Sequence, residues 1–200
     1  MIAAAPLPPA AEGPHLRLRL VVPDDAAFIH RLRLDPALNA HLSPVTGSVT
    51  DQRDWITAYK TREAAGTEAY YLISRRDDGR PCGLVRLYAI TDDNFTWGSF
   101  MLDPDTKPPR AALEAAILSF GIGFGLPGKT HALVDVRRAN RHAHDFYRRH
   151  GMEEIRRDDR DVFMRYDRDR FSRDMETHMK VLARHAQTDA RPDRREGETG

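Results

Sequence analysis

Side chains able to do chemistry are concentrated in one stretch, RRANRHAHDFYRRHGM, at residues 137–152. It contains five arginines, three histidines and one tyrosine. Asn140 can cap a helix that Gly151 would end, since asparagine accepts hydrogen bonds from first-turn amides and glycine readily adopts the left-handed conformation of a helix stop. Three kinds of site use such residues: a metal centre, a nucleic-acid contact, and the wall of a pocket for an anionic ligand.

The spacing of the histidines argues against a metal centre. His142 and His144 are two residues apart, so they point to different sides of a helix, on which only residues three or four apart meet. No cysteine or carboxylate stands at ligand spacing from His150. Cys82 is the single cysteine, which excludes a cysteine cluster for zinc and an internal disulfide. The sequence therefore predicts no metal site.

The charge balance argues against nucleic acid. Five arginines close together would suit phosphate contacts, but the whole chain has 31 basic and 30 acidic residues, so no global field attracts a polyanion. The glycine and aromatic strip of RNA-binding domains is also missing. The remaining interpretation is a pocket wall. Ala143, Phe146 and Tyr147 share the apolar side of the predicted helix, which puts the Tyr147 hydroxyl in a half-buried place. The alternative is a core tyrosine whose hydroxyl is satisfied by the protein.

The elements that must position this stretch alternate between strands and helices. Hydrophobic periodicity predicts strands at 16–22, 69–75, 82–90, 95–102, 130–136, 152–157 and 161–166. It predicts helices from Asp24 or Asp25, from Asp51, over 108–124, over 140–150 and over 168–184. We therefore expect an α/β fold in a single domain at 15–167, with a mixed β-sheet of about seven strands flanked by four or more helices. The step from strand 95–102 to strand 130–136 should be parallel.

The two ends of the chain differ in composition from the rest. Residues 1–14 are rich in alanine and proline, and residues 185–200 are charged without aromatics, so both are predicted to be disordered. The first residues have no basic segment before an apolar one, unlike a signal peptide. No apolar run approaches the roughly 20 residues of a membrane span. We expect a cytoplasmic protein with no membrane partner, either a monomer or a homodimer.

The helix at 140–150 also resembles the closing motif of the GNAT family of N-acetyltransferases. Asn140, Ala143, Phe146, Tyr147 and Gly151 fall on that family's pattern, with a methionine after the glycine where phenylalanine is commoner. The segment WGSFMLDPD, followed by a helix, resembles the family's central strand and acetyl-CoA loop. The order of elements agrees as well, and the resemblance covers about residues 15–166.

The resemblance implies an acyltransferase that moves an acetyl group from acetyl-CoA directly to a primary amine, without a covalent acyl-enzyme and without a metal. Backbone N–H groups near 100–102 would polarise the thioester carbonyl. Tyr147 would be the catalytic acid for the leaving CoA thiolate, whose thiol has a pKa of roughly 8–9 by analogy with cysteine. The implied acetyl-CoA contacts are Met101, Leu102, Lys107, Arg110, Ala111, Ala112, Leu113 and Asn140.

The acetyl-CoA loop departs from the family. Its sequence, DTKPPRAALEAA, has two prolines and no glycine, where the family uses glycines to wrap backbone amides around the pyrophosphate. A helix N-terminus binds anions, and proline is tolerated at the first helical position. If Pro108 or Pro109 stood there, the amides of 110–113 would remain for phosphates, with charges from Lys107 and Arg110. Acetyl-CoA binding is predicted to survive, and the alternative is a non-catalytic CoA-binding or regulatory module.

The general base and the acceptor are less defined. Thr96 stands where family members often have a glutamate, and its hydroxyl cannot take the amine's proton at neutral pH. Asp92, Asp93 or Asp135 could replace it, or a water chain could serve. The resemblance implies that the acceptor would lie against the first two helices and their loop, and the predicted substrate residues are His41, Ser43, Trp55 and Asp135. The predicted acceptor is a small polar amine such as an amino sugar, or the N-terminus of a protein or peptide.

Overall fold

A computed structural model describes residues 6–41 and 46–189 of the 200-residue chain. The strands are β1 (Ala10–Glu12), β2 (Leu16–Leu20), β3 (Ala69–Arg75), β4 (Pro81–Tyr88), β5 (Asn94–Leu102), β6 (His131–Arg137), β7 (Glu153–Arg157) and β8 (Asp161–Asp167). The helices are α1 (Ala26–Leu34), α2 (Pro36–Asn39), α3 (Val49–Ala64), α4 (Ala111–Gly125), α5 (Arg141–Arg149) and α6 (Arg168–Asp189). None of the helices in these ranges is both long and apolar enough to cross a bilayer.

The strands form one mixed sheet in the order β1-β2-β3-β4-β5-β6-β8-β7. Strands β5 and β6 are parallel and are joined by α4, as a crossover connection requires, and the other neighbours are antiparallel. This confirms the predicted α/β class and mixed sheet. The described sheet has eight strands, against the expected seven or so, because a short strand lies in the N-terminal segment.

That N-terminal strand corrects the prediction of a disordered arm over 1–14. Strand β1 pairs antiparallel with β2, and Glu114 on α4 fixes the turn between them. The Glu114 carboxylate is 1% exposed and accepts hydrogen bonds from the amides of His15 and Leu16, both at 2.8 Å. Composition did not reveal this segment, because the turn between β1 and β2 is held by Glu114, which lies about 100 residues later in the sequence. Residues 1–5 lie outside the described ranges.

Two other predicted boundaries differ from the structure. The C-terminal helix α6 extends to Asp189, beyond the predicted 168–184, and residues 190–200 lie outside the described ranges. Helix α3 begins at Val49, ahead of the predicted start at Asp51. Ser48 is its N-cap, and Asp51 completes a capping box by accepting a hydrogen bond from the Ser48 amide.

Apolar residues line both faces of the sheet, and each face packs against its own helices. On one face, Trp97 and Phe120 lie in a core built with α4 and the last strands. On the other, Ile29 of α1 and Ile56 of α3 pack against Tyr70. Strands β2, β5, β6 and β8 alternate between more and less buried positions, as a period-two pattern predicts. Strand β3 is buried along nearly its whole length, so its sequence is a continuous apolar run.

The sheet opens between β5 and β6, and this opening positions the site. The two strands pair only from Asn94 to Thr96 and then diverge. Just beyond, β5 contains a bulge: Arg86 stands opposite Gly98 and Leu84 opposite Met101, so two residues of β5 face one of β4. Ser99 in the bulge has a φ of +49°, a left-handed conformation that bends the strand away from its neighbour. The result is a gap at the C-terminal ends of two parallel strands.

Candidate active site

A cavity of about 450 Å³ occupies the gap between β5 and β6. Residues 98–102 of β5 form one wall, residues 135–137 of β6 form another, and α5 closes the end. The sequence-predicted residues that line this cavity are Met101, Leu102, Lys107, Ala112, Asn140, Tyr147, His41 and Asp135. Residues from four separate parts of the sequence therefore meet in one space.

Helix α5 carries Tyr147 into this cavity. The helix starts and stops as predicted: the Asn140 side chain accepts a hydrogen bond from the Ala143 amide at 3.1 Å, and Gly151 has a φ of +80°. Tyr147 is 8% exposed, and its ring meets that of Trp97 edge-on at a centroid distance of 5.8 Å. Its hydroxyl makes no hydrogen bond to the protein within the described ranges. In the alternative interpretation, a core tyrosine, the protein would hydrogen-bond this hydroxyl. Here the hydroxyl is available to a ligand.

The surroundings of Tyr147 keep its hydroxyl protonated. Burial raises the pKa of Tyr147 well above its ordinary value of 10.0, and the nearby Asp135 and Tyr88 raise it further. Asp135 is exposed on β6 and accepts a hydrogen bond from the Tyr88 hydroxyl at 3.3 Å. The cavity therefore has a buried proton donor and an ionisable carboxylate close together.

Of the three candidate bases, Asp135 is the one that lines the cavity. Asp93 lies in the turn before β5, where its carboxylate accepts hydrogen bonds from Asn94 and Thr91. Asp92 precedes it in the same turn, and its backbone carbonyl accepts a hydrogen bond from Lys129. The structure separates both from Tyr147, since the turn is at the opposite end of β5 from the bulge.

The acetyl-CoA loop differs from the arrangement considered for it. Helix α4 begins at Ala111, and Arg110 is its N-cap in a left-handed conformation with a φ of +59°, so both prolines precede the helix. The amides of Ala111 and Leu113 donate to the carbonyls of Pro108 and Arg110, at 3.2 and 3.0 Å. The left-handed turn at Arg110 thus uses two of the four amides that were expected to face phosphates.

Only some of the residues predicted to contact acetyl-CoA line the cavity. Lys107 and Ala112 line it, whereas Arg110 is exposed outside, Ala111 is buried in the core and Leu113 is half-buried. Within the described ranges, the Ala112 amide has no backbone partner, so it can still donate to an anion. The predicted phosphate site therefore has fewer backbone N–H donors than a glycine-rich loop would offer, and it relies more on side-chain charge.

An aspartate that the sequence did not single out anchors this loop. Asp103 is 3% exposed, and its carboxylate accepts hydrogen bonds from Arg31 at 2.7 Å and from the Asp105 amide at 3.1 Å. Its carbonyl accepts the Lys107 amide at 3.0 Å. The ion pair joins the loop to α1, so the positions of the loop and of the acceptor side are coupled.

The predicted substrate residues do not share one place. His41 lines the main cavity beside Leu38 of α2. Trp55 instead lines a second cavity of about 310 Å³, together with His30 and Arg33. Ser43 lies outside the described residues. The predicted substrate residues that the structure describes are thus divided between two cavities.

Several cavity residues were missed by the sequence reasoning. Gly98, Ser99 and Phe100 form the bulge, and the glycine within a strand was a usable signal, since strand glycines often mark bulges. Arg137 and His142 also line the cavity. Burial raises the pKa of Cys82 to about 12, so its thiol is inert. No group of three or more metal-type ligands is present among the described residues.

Comparisons with known proteins agree with this architecture. Residues 15–153 match the family model described as an acetyltransferase (GNAT) domain. The solved structure of apo FdhC, a nucleotide-linked sugar GNAT, is 33% identical to the chain, with a TM-score of 0.79 and coverage of 86% of this chain and 98% of that one. A search of curated proteins finds no significant match.

More distant structures share the fold. Spermidine N-acetyltransferase from Vibrio cholerae, in complex with CoA and spermine, is 18% identical with a TM-score of 0.67, over 78% of this chain and 98% of that one. Mycobacterium smegmatis RimJ, in complex with CoA-disulfide, is 16% identical with a TM-score of 0.71, over 88% and 94%. Since the family model and the FdhC alignment both span most of the sequence, the chain belongs to the GNAT family of acetyltransferases.

Proposed function

We propose that this protein transfers the acetyl group of acetyl-CoA to the primary amine of a small polar acceptor, with an amino sugar as the favoured class. The observation that carries the proposal is Tyr147, a buried tyrosine whose hydroxyl has no protein partner within the described ranges and which lines the gap between β5 and β6. A donor of this kind suits the sulfur of a leaving thiolate.

The residues around the gap fit acetyl-CoA. Lys107 and the Ala112 amide would contact phosphates, Asn140 would border the cofactor, and the backbone at 100–102 would receive the thioester carbonyl. Met101 and Leu102 supply an apolar wall beside it. Arg110, Ala111 and Leu113 remain predicted contacts only if the loop rearranges when acetyl-CoA binds.

The proposed reaction is one direct transfer. The unprotonated amine attacks the thioester carbon, so that a C–N bond forms and the C–S bond breaks. Asp135 accepts the proton that the amine loses, directly or through a water, and later releases it to solvent. The Tyr147 hydroxyl gives its proton to the departing sulfur, which leaves as a thiol, and the tyrosinate regains a proton from solvent before the next turnover. The raised pKa of Tyr147 keeps this donor protonated over the working pH range.

The acceptor class rests on similarity and on the shape of the acceptor side. FdhC, a nucleotide-linked sugar GNAT, aligns over most of the chain, which favours an amino sugar over a protein N-terminus. His41 in the main cavity and Trp55 in the second one add a polar and an aromatic group, which suit a hydroxyl-bearing amine. A monomer or homodimer in the cytoplasm, without nucleic acid or membrane partners, remains the prediction.

Thermal unfolding with acetyl-CoA tests the first half of the proposal. At about 100 times Kd, the ligand should add about 2.7 kcal/mol of stability. For a chain of this size that corresponds to a rise in Tm of roughly 5–10 °C. An unchanged Tm at millimolar acetyl-CoA would overturn acetyl-CoA as the donor.

A thiol-release assay tests the second half. Amino sugars, peptides and polyamines are each incubated with acetyl-CoA, and free CoA is measured over time. We expect turnover with at least one amino sugar. Acetyl-CoA binding without turnover on any amine would support the alternative, a non-catalytic CoA-binding module.

A further inference from the structure

Tyr88, the last residue of β4, contacts the proposed base from a strand that is not its neighbour. Asp135 stands on β6, and β5 lies between β4 and β6 in the sheet. The Tyr88 hydroxyl nevertheless donates a hydrogen bond to Oδ1 of Asp135 at 3.3 Å. The Tyr88 side chain therefore extends across β5, and the reaction proposed above gives it no role.

Strand register places the two side chains on one face of the sheet. Tyr88 is paired with Thr96 of β5, and Thr96 is paired with Leu133 of β6. Residues paired across a sheet project from the same face, as do residues two positions apart along a strand. Asp135 follows Leu133 by two positions, so it projects from the same face as Tyr88. The contact is thus set by the sheet itself and not by a loop.

Gly98 leaves the space through which the Tyr88 ring crosses β5. A Cβ atom added at Gly98 would lie 3.1 Å from the Tyr88 hydroxyl oxygen and 3.2 Å from Cε1 of its ring. Carbon atoms in ordinary van der Waals contact are about 3.5–4.0 Å apart, so a larger residue here would displace the ring. The absence of a side chain at position 98 therefore serves the contact between Tyr88 and Asp135.

A charged neighbour steadies the Tyr88 ring. The guanidinium carbon of Arg86 lies 5.5 Å from the ring centroid, within the range of a cation–π interaction. Arg86 is in turn held by an ion pair with Glu68, which is 6% exposed. The ring is therefore restrained by β4 and β5 residues at the same time as its hydroxyl reaches β6.

The protonation state of Tyr88 makes it a lasting donor to the carboxylate. Burial raises the pKa of Tyr88 to about 12, and the charge of Asp135 and the hydrogen bond to it add to the rise. A phenol that stays protonated has one proton to donate, and here Oδ1 of Asp135 accepts it. Among the described residues, no other group donates a hydrogen bond to the Asp135 carboxylate. One oxygen is therefore bound, and Oδ2 keeps its lone pairs for a ligand.

We propose that Tyr88 is a positioning residue for the proposed base: its hydroxyl holds Oδ1 of Asp135 so that Oδ2 faces the acceptor's amine beside Tyr147. The proposal rests on the proposed function for the role of Asp135. Asp135 is exposed on β6, where its side-chain torsions would otherwise be free, and fixing a reacting group in its productive geometry lowers the barrier. The proton passes from the amine to Oδ2, and Tyr88 keeps its own.

Replacing Tyr88 by phenylalanine removes the hydrogen bond and keeps the ring over Gly98. We expect kcat to fall about 10- to 100-fold, because the base is no longer held in place, while the Kd for acetyl-CoA stays within about twofold. The matched control is Tyr71→Phe on β3, since the Tyr71 hydroxyl also donates a hydrogen bond, to the carbonyl of Pro8 at 2.8 Å. Its kcat should stay within about twofold of the native value. An unchanged kcat in Tyr88→Phe, or equal falls in both variants, would overturn the proposal.

A double-mutant cycle shows whether Tyr88 acts through Asp135. Tyr88→Phe is made in the native chain and in Asp135→Asn, and kcat is measured in all four proteins. A residue that only positions Asp135 has nothing to position once the carboxylate is gone, so in Asp135→Asn the second change should alter kcat by about twofold or less. The same large fall in both backgrounds would show that Tyr88 acts independently of Asp135, which contradicts a positioning role.

A spectroscopic measurement separates this proposal from the proposed reaction. Tyr88→3,5-difluorotyrosine carries a phenol that ionises at lower pH than tyrosine, and fluorine NMR follows its titration without any substrate. Asp135→Asn removes the neighbouring negative charge, so in that background the phenol should be half ionised at a pH about 1 lower. An unchanged pH together with turnover of an amine would overturn the role of Tyr88 and leave the acetyltransferase standing. A lowered pH without turnover of any amine would overturn the proposed function, and the role of Tyr88 with it, and would leave only the contact.

Discussion

At the scale of single residues, Tyr147 and Asp135 are the pair on which the proposed chemistry depends. They come from different elements, α5 and β6, and meet only because β6 diverges from β5. One is buried and protonated and the other is exposed and ionisable, so their environments assign them opposite roles.

Replacing Tyr147 by phenylalanine tests the donor. The ring and its contact with Trp97 remain, so the fold and the Kd for acetyl-CoA should change little, while kcat should fall about 10²- to 10³-fold. Steady-state kinetics and calorimetry measure the two quantities. In the native enzyme, kcat should show no decline up to about pH 10, because the pKa of Tyr147 is raised above its ordinary value.

The matched control is Tyr166→Phe. Tyr166 is a buried tyrosine of β8 that packs against Phe120, away from the cavity. Its loss of a hydroxyl should leave kcat within about twofold of the native value, since surface and core changes remote from a site act mainly on stability. An unchanged kcat in Tyr147→Phe would remove Tyr147 from the mechanism.

At the scale of elements, α4 is the helix that links the cofactor loop to the rest of the fold. Its first turn contains Glu114, which binds the N-terminal segment through two amides and the His15 ring. The loop before it is tied to α1 through Asp103 and Arg31. Both attachments restrict the start of the helix, where phosphates are expected to bind.

Glu114→Gln should therefore destabilise the protein. Glutamine keeps an oxygen for the two backbone amides but removes the negative charge that strengthens these buried hydrogen bonds, so the free energy of unfolding should fall by about 1–3 kcal/mol. Urea unfolding measures it. Glu176→Gln is the control, because Glu176 forms an exposed pair with Lys180 and such pairs contribute roughly 0–1 kcal/mol. Equal losses in both variants would show that Glu114 does not hold the N-terminal segment.

At the scale of the whole molecule, buried ionisable groups make stability depend on pH. Burial lowers the pKa of His150 below 6.5, and the Nε2 of its ring has no partner among the described residues. Burial tends to raise the pKa of Asp103, but hydrogen bonds from Arg31 and the Asp105 amide outweigh it and the pKa is lowered from 3.8. In both cases the unfolded chain takes up the proton first as the pH falls.

The free energy of unfolding should therefore decrease in two stages on acidification. Protonation of His150 in the unfolded state begins the decrease below about pH 6.5, and protonation of Asp103 steepens it below about pH 4. Urea unfolding from pH 8 to pH 3 measures both stages. His150→Gln should flatten the first stage and leave the second, and an identical slope in that variant would contradict the assignment.

The features that the sequence determined by itself depend on residues close together in the chain. The helix from Asn140 to Gly151, most strands and the mixed α/β class followed from capping residues, glycine conformation and hydrophobic period, which act over a few neighbouring residues. Tyr147 was found in the same way, because its position on the helix decides its burial. The resemblance to the GNAT family rested on these same short-range patterns.

The tertiary structure decided what depends on partners distant in sequence. The turn between β1 and β2 is held by Glu114, and the loop before α4 takes its shape from Asp103 and the left-handed Arg110. Asp135 became the candidate base only when the β5 bulge and the divergence of β6 placed it beside Tyr147. Arg86 of β4 lies over the Trp55 ring of α3, and no spacing in the sequence relates these two positions. Such contacts form only when the chain packs, so hydrophobic periodicity and secondary-structure propensity do not predict them.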